Sequence, residues 1–102
     1  MADRYSPVKL STSRGTSVRC ASNRKYAAAQ LVPKPGPTYA GIVLKVYARS
    51  DSAQALAERI RKEPGWTYVF ELKEGRLLWE NSASEWLAAE NVILNYAATQ
   101  EV

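Results

Sequence analysis

The side chains that could do chemistry are unevenly dealt along this chain. Its 102 residues hold one cysteine, no histidine, ten carboxylates and fourteen Lys and Arg. Without histidine no Ser-His-Asp or Cys-His nucleophile pair can be drawn, and no metal site that uses imidazole. A single cysteine excludes an internal disulfide framework and a multi-thiolate cluster. Cys20 follows Arg19, a neighbour that favours the thiolate, yet no resolving cysteine accompanies it, so it reads as a bystander. The carboxylates Glu58, Glu63, Glu71, Glu74, Glu80, Glu85 and Glu90 offer no catalytic couple. Glu71 and Glu80 would share the outer face of a sheet that Lys45, Lys73 and Arg76 neutralise, a solvated surface rather than an acid–base pair. Gly15 and Gly41 stand alone, outside any phosphate-cradling motif. The expectation is a protein that is not an enzyme and takes no cofactor and no metal.

What remains is charge. The formal net charge is +4, but residues 1–38 carry seven bases against one acid, whereas residues 39–102 carry seven against nine. Lys9, Arg14, Arg19, Arg24, Lys25 and Lys34 stand among Ser and Thr, with Tyr5 and Tyr26 nearby. Such a basic extension neutralises phosphates or an acidic protein groove. Arg4, Lys9, Arg14, Arg19 and Arg24 recur every five residues. That spacing swaps faces on a strand and turns through about 140° per step on a helix, so it builds no single charged face.

The positioning elements follow from periodicity. Three prolines within Pro33-Lys34-Pro35-Gly36-Pro37 predict a stiff linker. A boundary near residue 38 then separates a basic arm, 1–38, from a small α+β domain, 39–102, which should stay folded without the arm. Residues 39–49 predict a strand, with Ile42, Leu44, Val46 and Ala48 on one face and Val43, Lys45, Tyr47 and Arg49 on the other. Asp51, with Gln54 three residues on, predicts the cap of a helix carrying Ala53, Leu56, Ala57 and Ile60 inward and a Glu58–Lys62 pair outward. Pro64-Gly65 ends it. Trp66, Tyr68, Phe70 and Leu72 then alternate, and a two-residue Glu74-Gly75 reversal sets Leu72 against Leu77 and Phe70 against Trp79. Ser82 and Glu85 predict a capping box for a helix from Ala83 to about Thr99, with Trp86, Ala89, Ile93 and Tyr96/Ala97 inward.

The order strand-helix-strand-strand-helix implies a right-handed crossover whose two strands are parallel neighbours or separated by one inserted strand. The economical fold is two helices on one face of a mixed three-stranded sheet, preceded by an extended basic N-terminal arm. Within the arm, Val8, Leu10 and Thr12 alternate, as do Thr16, Val18 and Cys20, around Arg14-Gly15. This reads either as a weak hairpin over 8–22 or as an arm ordered only by a partner. Tyr26 to Val32 suits a helical turn or an edge strand.

The aromatics Trp66, Tyr68, Phe70, Trp79 and Trp86 are expected in the core rather than on a base-stacking platform, since about 60 residues need their large apolar groups inside. Phe70 and Trp79 should face the helices, and Trp66, at a strand end, should stay partly exposed. The opposite face would show Val43, Lys45, Tyr47, Arg49, Val69, Glu71, Lys73, Arg76 and Leu78. It would be solvated, or covered by the arm or a partner.

No run of about 18 apolar residues could span a membrane, and the bases of the first 30 residues interrupt every candidate signal peptide. An unpaired Cys20 suits a reducing compartment, the cytoplasm or an organelle stroma or matrix. The function expected is a small assembly or adaptor subunit. It would dock onto a larger protein complex with an acidic surface through Lys9, Arg14, Arg19, Arg24, Lys25 and Tyr26 of the arm and Lys45 and Tyr47 of the outer sheet face. The alternative is RNA or single-stranded DNA binding, with the arm on phosphates and Tyr26, Tyr39 or Tyr47 stacked on bases.

Overall fold

A computed structural model describes residues 6–34, 36 and 41–100. Tyr5, Tyr39, Pro35 and Pro37 of the sequence reading lie outside them. The strands are β1 (Val8–Ser11), β2 (Ser17–Cys20), β3 (Tyr26–Pro33), β4 (Ile42–Ser50), β5 (Trp66–Glu71) and β6 (Leu77–Ser82). Helix α1 spans Ala53–Arg61, and α2 spans Trp86–Thr99 after a 3-10 turn at Ala83–Glu85. The chain is α+β, with a two-stranded sheet β1-β2 and a four-stranded sheet in the order β4-β3-β5-β6.

The arm is therefore largely part of the fold. β3 pairs antiparallel with β4 on one side and with β5 on the other, so it is the strand inserted within the β4–α1–β5 crossover. The expectation of an extended arm as far as residue 38 is corrected here, and a chain begun at residue 39 would lack an interior strand. Sequence pattern leaves Tyr26 to Val32 between a helical turn and an edge strand because Ala27, Ala28 and Ala29 are weak strand formers; the structure makes it a strand paired on both sides. All three are fully buried, and their small side chains let one layer approach from each side.

Those two layers define two cores. On one face, α1 and α2 place Leu56, Ile60, Ala89 and Ile93 against Tyr26, Ala28 and Val69, with Tyr47, Leu78, Trp79 and Trp86 around them. On the other, the β1–β2 hairpin places Leu10 and Cys20 against Ala27, Ala29, Leu44, Tyr68, Phe70 and Leu72. β1 and β2 pair antiparallel. Val8 faces Cys20 and Leu10 faces Val18, and Gly15 supplies the turn with φ +93.

Several expectations about faces and registers change. Phe70 lies under the hairpin rather than the helices, whereas Tyr47, Val69 and Leu78, expected on the outer face, join the helix-side core. The covering layers are exchanged: Tyr68, Phe70 and Leu72 still share one side of β5, but the hairpin covers that side and the helices cover the side of Val69. Two bulges then move Ala48 and Trp79 to the helix side. One falls between Ala28 and Ala29, so that Tyr47 has no partner across the ladder. The other falls between Val69 and Phe70, which pair with Trp79 and Leu77. An extra residue in one strand flips everything beyond it to the other face. The β5–β6 reversal is also wider than two residues, closed by the Glu71 N–H donating to the Arg76 carbonyl at 2.9 Å. Trp66 does stay half exposed, at 50%.

The caps differ in detail. Ser52, not Asp51, caps α1, its hydroxyl accepting from the Ala55 N–H at 3.2 Å. Asp51 instead accepts from the Lys25 N–H at 2.9 Å and from Arg24 Nη1 at 3.2 Å, tying the β2–β3 loop to the start of the helix. Glu58 pairs with Arg61 at 3.7 Å rather than Lys62, and Arg59 pairs with Glu63. At the other helix Ser82 accepts from the Ser84 N–H at 3.3 Å. Its own N–H is taken by Asn81 Oδ1 at 2.7 Å, the donor a capping box would give to Glu85.

Candidate functional site

The basic residues singled out in the sequence do not form one surface. Arg14, in the β1–β2 turn, lines a hollow of about 370 Å³ with Gln30, Leu31, Pro64, Trp66 and Tyr68. Arg24 is engaged with Asp51 at 3.2 Å, and Lys25 is exposed beside it. These two border a hollow of about 450 Å³ over Tyr26, Glu71 and Tyr96. Lys9 is exposed on β1. Arg19 and Lys45 likewise border a common hollow, and the fold adds Arg49 to them. The three line a groove of about 730 Å³ where β2 overhangs β4, walled by Val18, Val32, Pro33, Val43, Leu44 and Val46.

That groove depends on the layer order. The hairpin covers Leu44 and Val46 by lying across the sheet near its β4 edge, which sets Arg19 of β2 on the same side as Arg49. Lys45, between the covered Leu44 and Val46, leaves the strand on the other side of that edge. All three bases are exposed, and among the described residues none has a carboxylate within ion-pair distance. Three unpaired cations beside an apolar wall make a site for an anionic group carried on an apolar scaffold. Arg49 was assigned to the outer face by alternation but not singled out. The bulge at Tyr47 brings it alongside Arg19.

The two tyrosines expected at the partner surface are elsewhere. Tyr26 is buried in the helix-side core, and its hydroxyl is held above its ordinary pKa by burial, with the charges of Glu71 and Asp51 adding to this. The Tyr47 hydroxyl lies 2.7 Å from Thr67 Oγ1, and Arg59 of α1 stacks 5.3 Å from its ring centre. Burial raises its pKa, as does Glu63, while Thr67 and Arg59 oppose the shift. Neither ring is free to stack on a base.

Glu71 is the buried polar group that the sequence misplaced on a solvated face. Its carboxylate accepts from the Glu74 N–H at 2.7 Å, the Arg76 N–H at 3.1 Å and the Tyr96 hydroxyl at 3.1 Å. Burial would raise its pKa, but these donors and the Arg76 charge more than offset it and hold the carboxyl below its ordinary range. With both oxygens engaged, Glu71 organises the β5–β6 turn rather than offering a base to a substrate.

Among the described residues no three His, Cys, Asp or Glu gather as metal ligands, and no helix is long and apolar enough to cross a membrane. No known protein family, curated protein or solved structure matches the chain.

Proposed function

We propose that this protein is a non-enzymatic assembly or adaptor subunit that docks an acidic partner protein on the groove formed by Arg19, Lys45 and Arg49. The observation that carries this reading is the convergence of three exposed bases, without acidic neighbours among the described residues, on an apolar wall built from two different sheets. Charges so placed accelerate encounter with an acidic surface and fix its orientation, while the Val18, Val32 and Val43 surface contributes burial. Nucleic-acid binding gains less support, since two of its three stacking tyrosines are held in or against the helix-side core.

The test is affinity capture from native extract with the full chain and with an Arg19→Glu, Lys45→Glu, Arg49→Glu variant, each with and without nuclease. The expected result is a defined set of proteins retained by the parent, lost with the variant and indifferent to nuclease. Equal retention by the variant removes the groove from the function, and loss on nuclease treatment transfers the role to nucleic acid.

A further inference from the structure

Among the described residues β4 ends the four-stranded sheet, and β2 forms no ladder with it. Which of its backbone groups are free follows from the register. The Lys34 N–H donates to the Gly41 carbonyl at 2.8 Å, and partners then run Pro33 with Ile42, Val32 with Val43, Leu31 with Leu44, Gln30 with Lys45 and Ala29 with Val46. In an antiparallel ladder, pairs that exchange both hydrogen bonds alternate with pairs whose N–H and C=O groups point away from each other. Lys34 and Gly41 are of the first kind, so Val43 and Lys45 turn inward to β3. Ile42, Leu44 and Val46 turn their N–H and C=O groups to the open edge. Pro33, which has no N–H, falls opposite Ile42, where none is needed. On the far side of β3 the Ala29 carbonyl accepts from Thr67 Oγ1 of β5 at 3.2 Å, as this alternation requires.

The open edge is a template for an added strand. It is bordered by Lys45, Arg49 and, from β2, Arg19, while Ile42 is 66% exposed at its beginning. A second copy of the chain would bring the same bases together across a two-fold axis, and like charges opposed on paired strands are destabilising. An extended acidic segment meets the opposite situation: its main chain completes the ladder, and carboxylates on one of its faces meet Arg19 and Arg49 on the hairpin side of the edge. Building on the docking role above, we infer that β4 accepts an acidic, extended segment of a partner protein as a fifth strand, hydrogen-bonded to Ile42, Leu44 and Val46.

The probe is an acetylated, amidated octapeptide in which valine and glutamate alternate, added to the full chain and followed by amide exchange and chemical shift. Three controls accompany it: the same peptide N-methylated at alternate residues, an octaglutamate, and an octathymidylate. The expected result is saturable binding that slows exchange at Ile42, Leu44 and Val46 and weakens about tenfold or more on N-methylation, which removes backbone donors without altering charge. Octaglutamate binding as tightly, or N-methylation without effect, overturns strand addition while leaving charge-based docking intact. Tighter binding of octathymidylate without protection on β4 also overturns it, in favour of a phosphate-bearing ligand. No binding of the parent octapeptide overturns it as well; the extract experiment with the triple variant then decides separately whether the groove docks a partner at all.

Discussion

The hydroxyl of Tyr96, on α2, donates to Oε2 of Glu71, at the end of β5, at 3.1 Å. Because Oε1 of the same carboxylate holds the Glu74 and Arg76 N–H groups, this contact couples the last helix to the β5–β6 turn. Through Gly75, that turn in turn bears on the hairpin.

Glu71 should give stability an acid limb. Its folded-state carboxyl is held below the ordinary value of 4.5, so its contribution is complete above that value and is lost as pH falls through the depressed folded value. Glu71→Gln is expected to cost about 2 kcal/mol at pH 7, the scale of a charge-assisted hydrogen bond. The gap in urea midpoint between parent and variant should be smaller at pH 3 than at pH 7. A gap of the same size at both pH values would show that the carboxylate charge is not responsible.

Gly75 is expected to tolerate no side chain. Its φ is +79, and a Cβ there would overlap the carbonyl oxygen of Lys9 on β1. Gly15, at φ +93, has open space around the same position. Gly15→Ala should therefore cost only the left-handed backbone penalty, about 1–2 kcal/mol. Gly75→Ala should cost clearly more and speed amide exchange across β1 and β2. Equal losses for the two would mean that the hairpin does not rest on this turn.

Leu10 measures whether the hairpin belongs to the folded chain without a partner. It is fully buried among Phe70, Leu72 and Leu44, so Leu10→Ala should destabilise the isolated protein by about 2–5 kcal/mol. A change below about 0.5 kcal/mol would mean that β1 and β2 are not docked in the free protein.

The groove bases should be separable from stability. Arg19→Glu, Lys45→Glu and Arg49→Glu are exposed and unpaired among the described residues. Together they should leave the thermal midpoint nearly unchanged, each within about 0.5 kcal/mol. Capture of the acidic partner should fall, and in the parent it should weaken as salt rises. An unfolded variant would instead assign these residues a structural role.

Two helices, the β5–β6 pair and the arm hairpin were legible because each carries its own local signal: an apolar stripe at 3.6 spacing, Ser82 before a helix, or alternation around Arg14-Gly15. Face assignment was not. β5 reads Trp66-Thr-Tyr-Val-Phe-Glu, and alternation says which residues share a side without saying which layer covers it. When helices cover one side and a hairpin the other, both sides bury large groups. The candidate site was legible only in part for the same reason. Arg19 and Lys45 stood out as charges, but what unites them with Arg49 is a bulge and a hairpin folded back over an edge.

The sequence by itself determined a chain with an excess of basic charge in its first 38 residues, without histidine chemistry, whose segments after residue 40 alternate between strand and helix. Local periodicity, caps and turn glycines suffice for that, since they act over a few residues. Only the tertiary structure decided that Tyr26–Pro33 is an interior strand, that the basic segment covers the sheet, and that β4 is left, among the described residues, at an edge of it. Those outcomes depend on pairing across long stretches of chain. There, three small alanines can be held as a strand by neighbours on both sides, although nothing in their own propensity asks for it.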